Sequence, residues 1–217
     1  MNRHITVSRN SGGRDFIVGD LHGCYDMLMH HLRQVDFDQR LDRLFCVGDL
    51  IDRGTQNIEC LELIEHDWFY TVFGNHEDMF CAVFEALDNG GNSEQAMANY
   101  FQNGGIWVAD HHIDVLREWA AKLLKIPLSI TLETECGPVG ITHAEPPEDW
   151  SKVSEMKEVD MIWSRRWVRG EYNIRVAGVW KTYHGHTVLD QPEIFGNAHF
   201  IDTGAVFTGN LTLEQIC

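Results

Sequence analysis

Three short apolar runs near the start of this chain are each followed directly by a polar, glycine-led run. Phe16-Ile17-Val18 precedes Gly19-Asp20-Leu21-His22-Gly23, and Leu44-Phe45-Cys46-Val47 precedes Gly48-Asp49-Leu50-Ile51-Asp52-Arg53-Gly54. Thr71-Val72-Phe73 precedes Gly74-Asn75-His76-Glu77. Between these runs Leu28, Leu32 and Val35, then Ile58, Leu61 and Ile64, recur every three or four residues, the helical period. Residues 15–76 are therefore predicted to form strand, helix, strand, helix, strand, with helices starting near Tyr25 and covering Gln56 to Glu65. The separations from Asp20 to Asp49 and from Asp49 to Asn75 suit βαβ units of ~30 residues. Right-handed crossovers would put all three strand ends on one edge, which is where an open α/β sheet builds its site.

The pattern then changes. A helical stretch is predicted from Glu77 to Leu87, broken at Asp88-Asn89-Gly90-Gly91-Asn92. Residues 93–125 read as mostly helical, interrupted at Asn103-Gly104-Gly105. After Pro127 short strands are predicted: Leu128 to Leu132, Val139 to Thr142, Val179 to Tyr183, Phe200 to Ile201 and Leu211 to Leu213. The stretch Glu145 to Gly170 is rich in Trp, Glu and Arg without clean periodicity, and is predicted as a loop or short helix over the site. With no internal repeat and no low-complexity linker, 217 residues are expected to form one α/β domain.

Composition narrows the function. Lys and Arg number 17 against 33 Asp and Glu, a net charge of -16. That argues against a sequence-independent nucleic-acid binder, but not against a small phosphorylated group, because bound divalent metals reverse the local field. No run approaches the ~20 apolar residues that span a bilayer, and the N-terminus lacks the apolar core of a signal peptide. None of Cys24, Cys46, Cys60, Cys81, Cys136 and Cys217 forms a Cys-x-x-Cys pair. All six are expected to be reduced and structural, in a cytoplasmic protein.

The strand-end residues carry the chemistry. Asp20, His22, Asp49 and Asn75 end the predicted strands, and His143 and His186 follow two later ones. Oxygen and imidazole ligands without thiolate suit two divalent ions of manganese, iron, zinc or cobalt, and manganese is the ion expected. Asp20 and His22 would grip one ion, Asp49 would bridge, and Asn75, His143 and His186 would complete the second. Two ions ~3.5–4 Å apart clamp a phosphoryl group and activate a bridging water for in-line attack. His76 follows Asn75, so its side chain is expected to diverge from the ligands and to serve as a general acid. Asp52 would fix its tautomer, and Arg53 would bind phosphate oxygens with its planar fork. His184 neighbours His186 and is expected to be structural, with a place behind the ligands as the alternative. His30, His31, His111 and His112 read as polar positions on or beside helices, and His4, His66 and His199 have no motif around them.

These residues resemble the PPP family of metal-dependent serine/threonine phosphatases, and within it the lambda-like enzymes of phage and small bacterial relatives. The likeness covers nearly the whole chain, from Gly19-Asp20-Leu21-His22-Gly23-Cys24 through Glu59-Cys60-Leu61-Glu62-Leu63-Ile64 to Gly185-His186-Thr187 and the tail Ile201-Asp202-Thr203-Gly204-Ala205-Val206-Phe207. It implies a calcineurin-like metallophosphoesterase sandwich with a βαβαβ core and two sheets flanked by helices. It implies phosphoserine or phosphothreonine in a protein or peptide as substrate, possible activity on phosphotyrosine, and Arg165 as a second phosphate-binding arginine. The chain departs from the family at Phe73, where a basic residue is usual and a positive charge near the phosphate pocket is lost. It departs again at Ala144-Glu145-Pro146-Pro147, which replaces a usual Ala-Asp-Tyr-Pro. Dinucleoside tetraphosphate hydrolysis on the same fold is the alternative. Those enzymes usually carry Ala-Arg-Gly and Gly-Asn-His-Asp, where this chain has Asp52-Arg53-Gly54 and Glu77. A phosphodiesterase or nuclease would usually show Gly-His-x-His, and Val188 stands in the last place. A metal-binding scaffold without catalysis is the non-enzymatic alternative.

Overall fold

The computed structural model describes residues 3–170 and 172–217, and their strands form two sheets. In chain order the strands are β1 (His4–Val7), β2 (Asp15–Val18), β3 (Arg43–Cys46), β4 (Phe69–Thr71), β5 (Ser129–Leu132), β6 (Val139–Thr142), β7 (Lys181–His184), β8 (Glu193–Phe195), β9 (Ala198–Phe200) and β10 (Leu213–Gln215). The helices are α1 (Tyr25–Gln34), α2 (Asn57–Glu62), α3 (Asn75–Asn89), α4 (Ser93–Gln102), α5 (Ile113–Leu123), α6 (Glu158–Ile162) and α7 (Ala205–Thr208). One sheet has the order β10-β2-β3-β4 and the other β1-β5-β6-β7-β9-β8. This is the expected βαβαβ core within a two-sheet sandwich flanked by helices.

The strands β2 and β3 are buried on both faces, and their two-residue period sorts the side chains. Phe16, Val18, Leu44 and Cys46 turn toward the helices, where they join Leu28, Leu32, Leu61 and Phe80 in the main core. Ile17, Phe45 and Val47 turn the other way and meet Ile130, Ile141 and Tyr183 of the second sheet. Register then aligns the strand ends. Val18 pairs with Cys46 and Cys46 with Thr71 in parallel ladders, so the runs that begin at Gly19, Gly48 and Gly74 all leave one edge. In the second sheet Ile141 pairs in parallel with Tyr183, which brings His143 and His186 off a common edge.

Several elements differ from the expectation. The strand predicted from Val179 starts at Lys181, and the last strand starts at Leu213. Two strands, β1 and β8, escaped the pattern. β1 pairs in parallel with β5, more than a hundred positions away, and β8 is an exposed three-residue edge. Neither shows a clean alternation of apolar and polar residues. The stretch Glu145 to Gly170 holds a 3-10 turn at Trp150–Glu155 and then α6. Phe73 is fully buried in the main core. The charge expected at that position is therefore exchanged for packing.

The cysteine expectation is corrected in part. Cys136 and Cys217 form a disulfide with 81 residues of separation, whereas Cys24, Cys46, Cys60 and Cys81 are free thiols. The antiparallel pairing of β10 with β2 carries Cys217 to the β5–β6 connection that holds Cys136, a proximity that no local spacing reveals. Closing so long a loop restricts the unfolded chain, so reduction should cost about 2–4 kcal/mol and lower Tm by roughly 5–15 °C. Thermal unfolding with and without dithiothreitol checks this; coincident curves would show that the bridge constrains nothing. No helix among the described residues is long and apolar enough to cross a membrane.

Candidate metal centre

The strand-end loops are stitched to each other before any side chain is considered. Leu21 N and His22 N both donate to Asp49 O, at 3.0 and 2.9 Å, and Gly23 N donates to Leu50 O at 2.9 Å. Bringing two loops this close forces unusual backbone. His22, Asp49, Asp52, Arg53 and His186 all have positive φ, from 42° to 76°. Each such residue costs about 1–3 kcal/mol, and strain of this kind gathers where geometry matters more than local stability. Gly185 serves a different need: a β-carbon there would fall on Asp20 Oδ1.

α3 begins within the site. Asn75, His76 and Glu77 form its first turn, so the positive end of the helix dipole faces the other loops. His76 N donates to Asp49 Oδ1 at 3.0 Å. Glu77, fully buried, accepts from Asp49 N, Leu50 N and Gly74 N at 2.8–3.0 Å and so ties the β3 loop to the helix start. Burial, then the charge of Asp49, pushes its carboxyl up to about 7, against the opposing pull of those N–H groups.

The three histidines of the expected ligand set have their tautomers set by backbone carbonyls. His22 Nδ1 donates to Ile51 O at 2.8 Å, His143 Nδ1 to Val47 O at 2.7 Å and His186 Nε2 to Trp163 O at 3.1 Å. The neutral rings of His22 and His186 then present the lone pair of the other nitrogen to the centre, and His143 turns its Nε2 the same way. His143 Nε2 lies 2.9 Å from Asn75 Oδ1 and 3.4 Å from Asp49 Oδ1, and His186 Nδ1 lies 2.7 Å from the same Asn75 oxygen. His22 Nε2 lies 3.6 Å from Asp49 Oδ2. Acceptors face acceptors, an arrangement that calls for a cation among them.

Asp20 makes the same demand. Its Oδ2 accepts from His186 N at 3.0 Å, while its buried Oδ1 has no hydrogen-bond partner. Burial, then Asp202 and Asp49, pushes its carboxyl well above the usual range. Burial works against the charge of Asp49 too, yet His143, His76 and His22 hold it well below the ordinary carboxylate value. Burial lowers His22 and His186 to about 3, so both rings stay neutral and able to ligate. His143 is pulled down by burial and raised on balance by Asp49. The residues therefore fit divalent ions: His22, Asp49 and His76 bring possible ligand atoms within 4.8 Å of one another, as do Asp49, His143 and His186.

His76 stands in the first of those groups and Asp20 does not. The His76 ring does not diverge as expected: it meets His22 edge-on at 4.6 Å, with Nε2 3.9 Å from Asp49 Oδ2. Its Nδ1 is taken by Asp52 Oδ2 at 2.6 Å. Arg53 turns inward, with Nη1 2.5 Å from His22 Nε2 and its guanidinium 5.3 Å from the Phe207 ring. Arg165 reaches the same edge, Nη2 lying 3.5 Å from His186 O, and burial, then Arg169, lowers its pKa. Arg166 points elsewhere, to Glu145 and Asp160. Glu145, buried at the position where the resemblance implies Asp, accepts from Trp167 N at 2.9 Å and so ties down the loop that presents Arg165. His184 sits among Thr142 and Thr182 as a neutral core residue.

Pattern reading missed Asp202, whose buried Oδ2 also lacks a partner, and the aromatic donors Tyr100 and Trp107 on Asp52. Asp202 lies in the quoted tail motif, a signal that was present. Tyr100 and Trp107 carried none, because an aromatic residue on an amphipathic helix reads as core.

Comparison with known proteins places nearly the whole chain among known relatives. The calcineurin-like phosphoesterase profile matches residues 16–204. The chain is 38% identical over 210 residues to "Serine/threonine-protein phosphatase 1" of Salmonella typhimurium, covering 93% of this chain and 91% of that protein. It is 35% identical over 109 residues to the symmetrical bis(5'-nucleosyl)-tetraphosphatase of Buchnera aphidicola, covering 49% of this chain and 36% of that protein. A crystal structure assigned provisionally as a diadenosine tetraphosphatase shares the fold, with a TM-score of 0.66 at 22% identity over 100% of this chain and 94% of that one. The match of the profile over residues 16–204, most of the length, establishes that the chain belongs to the calcineurin-like phosphoesterase family.

Proposed function

We propose that the protein is a dinuclear-metal phosphomonoesterase, acting as one domain over residues 1–217 and releasing phosphate from phosphoserine and phosphothreonine in proteins. The observation that carries this reading is the His76–Asp52 pair, 2.6 Å apart and buried beside the convergent acceptors. Asp20 and His22 would hold one ion, Asn75, His143 and His186 the other, with Asp49 between them. When bound, the ions would neutralise phosphate oxygens and lower the pKa of an attacking water. The orphaned Asp20 oxygen would supply a carboxylate to the first ion, which would leave His76 for proton transfer.

The remaining steps belong to this chain's own side chains. Arg53 donates to His22 Nε2, an atom a cation would take; with that atom occupied, its fork serves a phosphate oxygen. Arg165, at the rim beside His186, would take a second oxygen. Asp52 keeps the His76 proton on Nδ1 as the ring cycles, so Nε2 delivers a proton to the departing alkoxide.

Likeness to a serine/threonine phosphatase over 93% of the chain supports a phosphoprotein substrate, and kinship with the lambda-like enzymes is part of the same reading. The partial likeness to a tetraphosphatase supports dinucleoside tetraphosphate hydrolysis as the second reading. Manganese-loaded protein should release phosphate from a phosphoserine peptide faster than it cleaves diadenosine tetraphosphate. The reverse preference would overturn the protein substrate and retain the phosphohydrolase chemistry.

A further inference from the structure

Asp52 spends both carboxylate oxygens, and only one of them on His76. Its Oδ1 accepts the phenol O–H of Tyr100 at 2.5 Å and the indole N–H of Trp107 at 2.7 Å, and these two donors lie 3.1 Å apart. The backbone of Asp52 is held as well, its N donating to Asn57 Oδ1 at 2.7 Å. Tyr and Trp each offer a large apolar body with one polar atom, and here both bodies pack on Phe80, at 5.7 and 5.9 Å between ring centroids. Tyr100 is buried and Trp107 half-buried. Burial, then the charge of Asp52, raises the Tyr100 phenol, so it remains a donor.

The chain between these two aromatics serves Arg53. Arg53 N donates to Gly104 O at 3.1 Å. Gly104 has a φ of 100°, and a β-carbon there would stand 2.7 Å from Arg53 Cγ and 2.9 Å from Arg53 N. The corner after α4 therefore grips both Asp52 and its neighbour, from a part of the chain that contributes no proposed metal ligand.

We infer that Tyr100 and Trp107 are positioning residues for proton transfer: by filling Oδ1 they lock the Asp52 carboxylate with Oδ2 toward His76 Nδ1, and so aim His76 Nε2 at the leaving oxygen. Neither touches substrate. The inference rests on the phosphomonoesterase reading and adds to it the residues that orient the acid. A singly bonded carboxylate can rotate and pair either oxygen with the imidazole; two donors converging on one oxygen remove that freedom.

The test uses leaving groups. A phosphoserine peptide releases an alkoxide, which needs the proton, whereas 4-nitrophenyl phosphate releases a stable phenolate, which needs it far less. In manganese-loaded Tyr100→Phe, Trp107→Phe and the double variant, kcat on the peptide should fall roughly 10–100-fold, the loss typical when an orienting partner is removed. KM should stay within about twofold, bound metal should be unchanged, and kcat on 4-nitrophenyl phosphate should fall much less. Equal losses on both substrates would mean general damage to the site and would overturn the inference, as would an unchanged peptide kcat. Should Tyr100→Phe fail to fold, the half-buried Trp107→Phe carries the same comparison. Failure of the unsubstituted protein to cleave either ester would overturn the phosphomonoesterase reading itself, an outcome distinct from any difference between variants.

Discussion

His76→Asn is expected to slow release of phosphate from a phosphoserine peptide by about 10²–10⁴-fold, the usual worth of a positioned general acid, with both metal equivalents retained. Asn approximates the imidazole's reach but cannot carry a proton to an alkoxide. His76 Nδ1 is held by Asp52 Oδ2 at 2.6 Å in a fully buried setting, so the ring can work only through Nε2. That nitrogen stands 3.9 Å from Asp49 Oδ2, close enough that a metal ligand and an acid look alike in distance. The variant separates them. Slow turnover with two bound ions is the result for an acid. Loss of one ion would make His76 a ligand, and full activity would remove it from the mechanism. Elemental analysis after gel filtration, run beside peptide turnover, makes both measurements on one sample.

Asp49→Asn is expected to weaken metal binding by more than the roughly 10–100-fold that loss of an outer-shell partner costs, and to take turnover below detection. Asp49 belongs to both groups of converging ligand atoms. Its Oδ1 faces His143 at 3.4 Å and its Oδ2 faces His22 at 3.6 Å. Asparagine keeps the size and removes the charge, and its NH2 would either face the His76 backbone N–H or donate to a ring lone pair that a metal would use. Isothermal titration with manganese checks affinity, and far-ultraviolet circular dichroism checks that the variant remains folded. Wild-type affinity in a folded variant would remove Asp49 from the centre.

The candidate site was legible to the extent that its residues lie at strand ends. The runs beginning at Gly19, Gly48 and Gly74 follow strands whose parallel register puts them on one edge, and a βαβ unit repeats that placement at a nearly constant chain spacing. His143 and His186 were legible for the same reason in the second sheet. Arg165 came from likeness alone. Its place at the rim, beside a neighbour that pairs with Glu145 and Asp160, depends on how Glu145 holds Trp167. Phe73 stood where the resemblance implies a charge, and the fold buries it instead.

By itself the sequence determined the order of strands and helices in the core, the chemistry of the candidate ligand set and the acidic character of the chain. Each is written locally, in hydrophobic periodicity, side-chain type or net charge. The tertiary structure decided the Cys136–Cys217 bridge across 81 positions and the grip of Tyr100 and Trp107 on Asp52 across 48 and 55. Such contacts follow from sheet order and from the path of the chain after each helix. Many arrangements share the same local periodicity, and only packing of the assembled core selects among them.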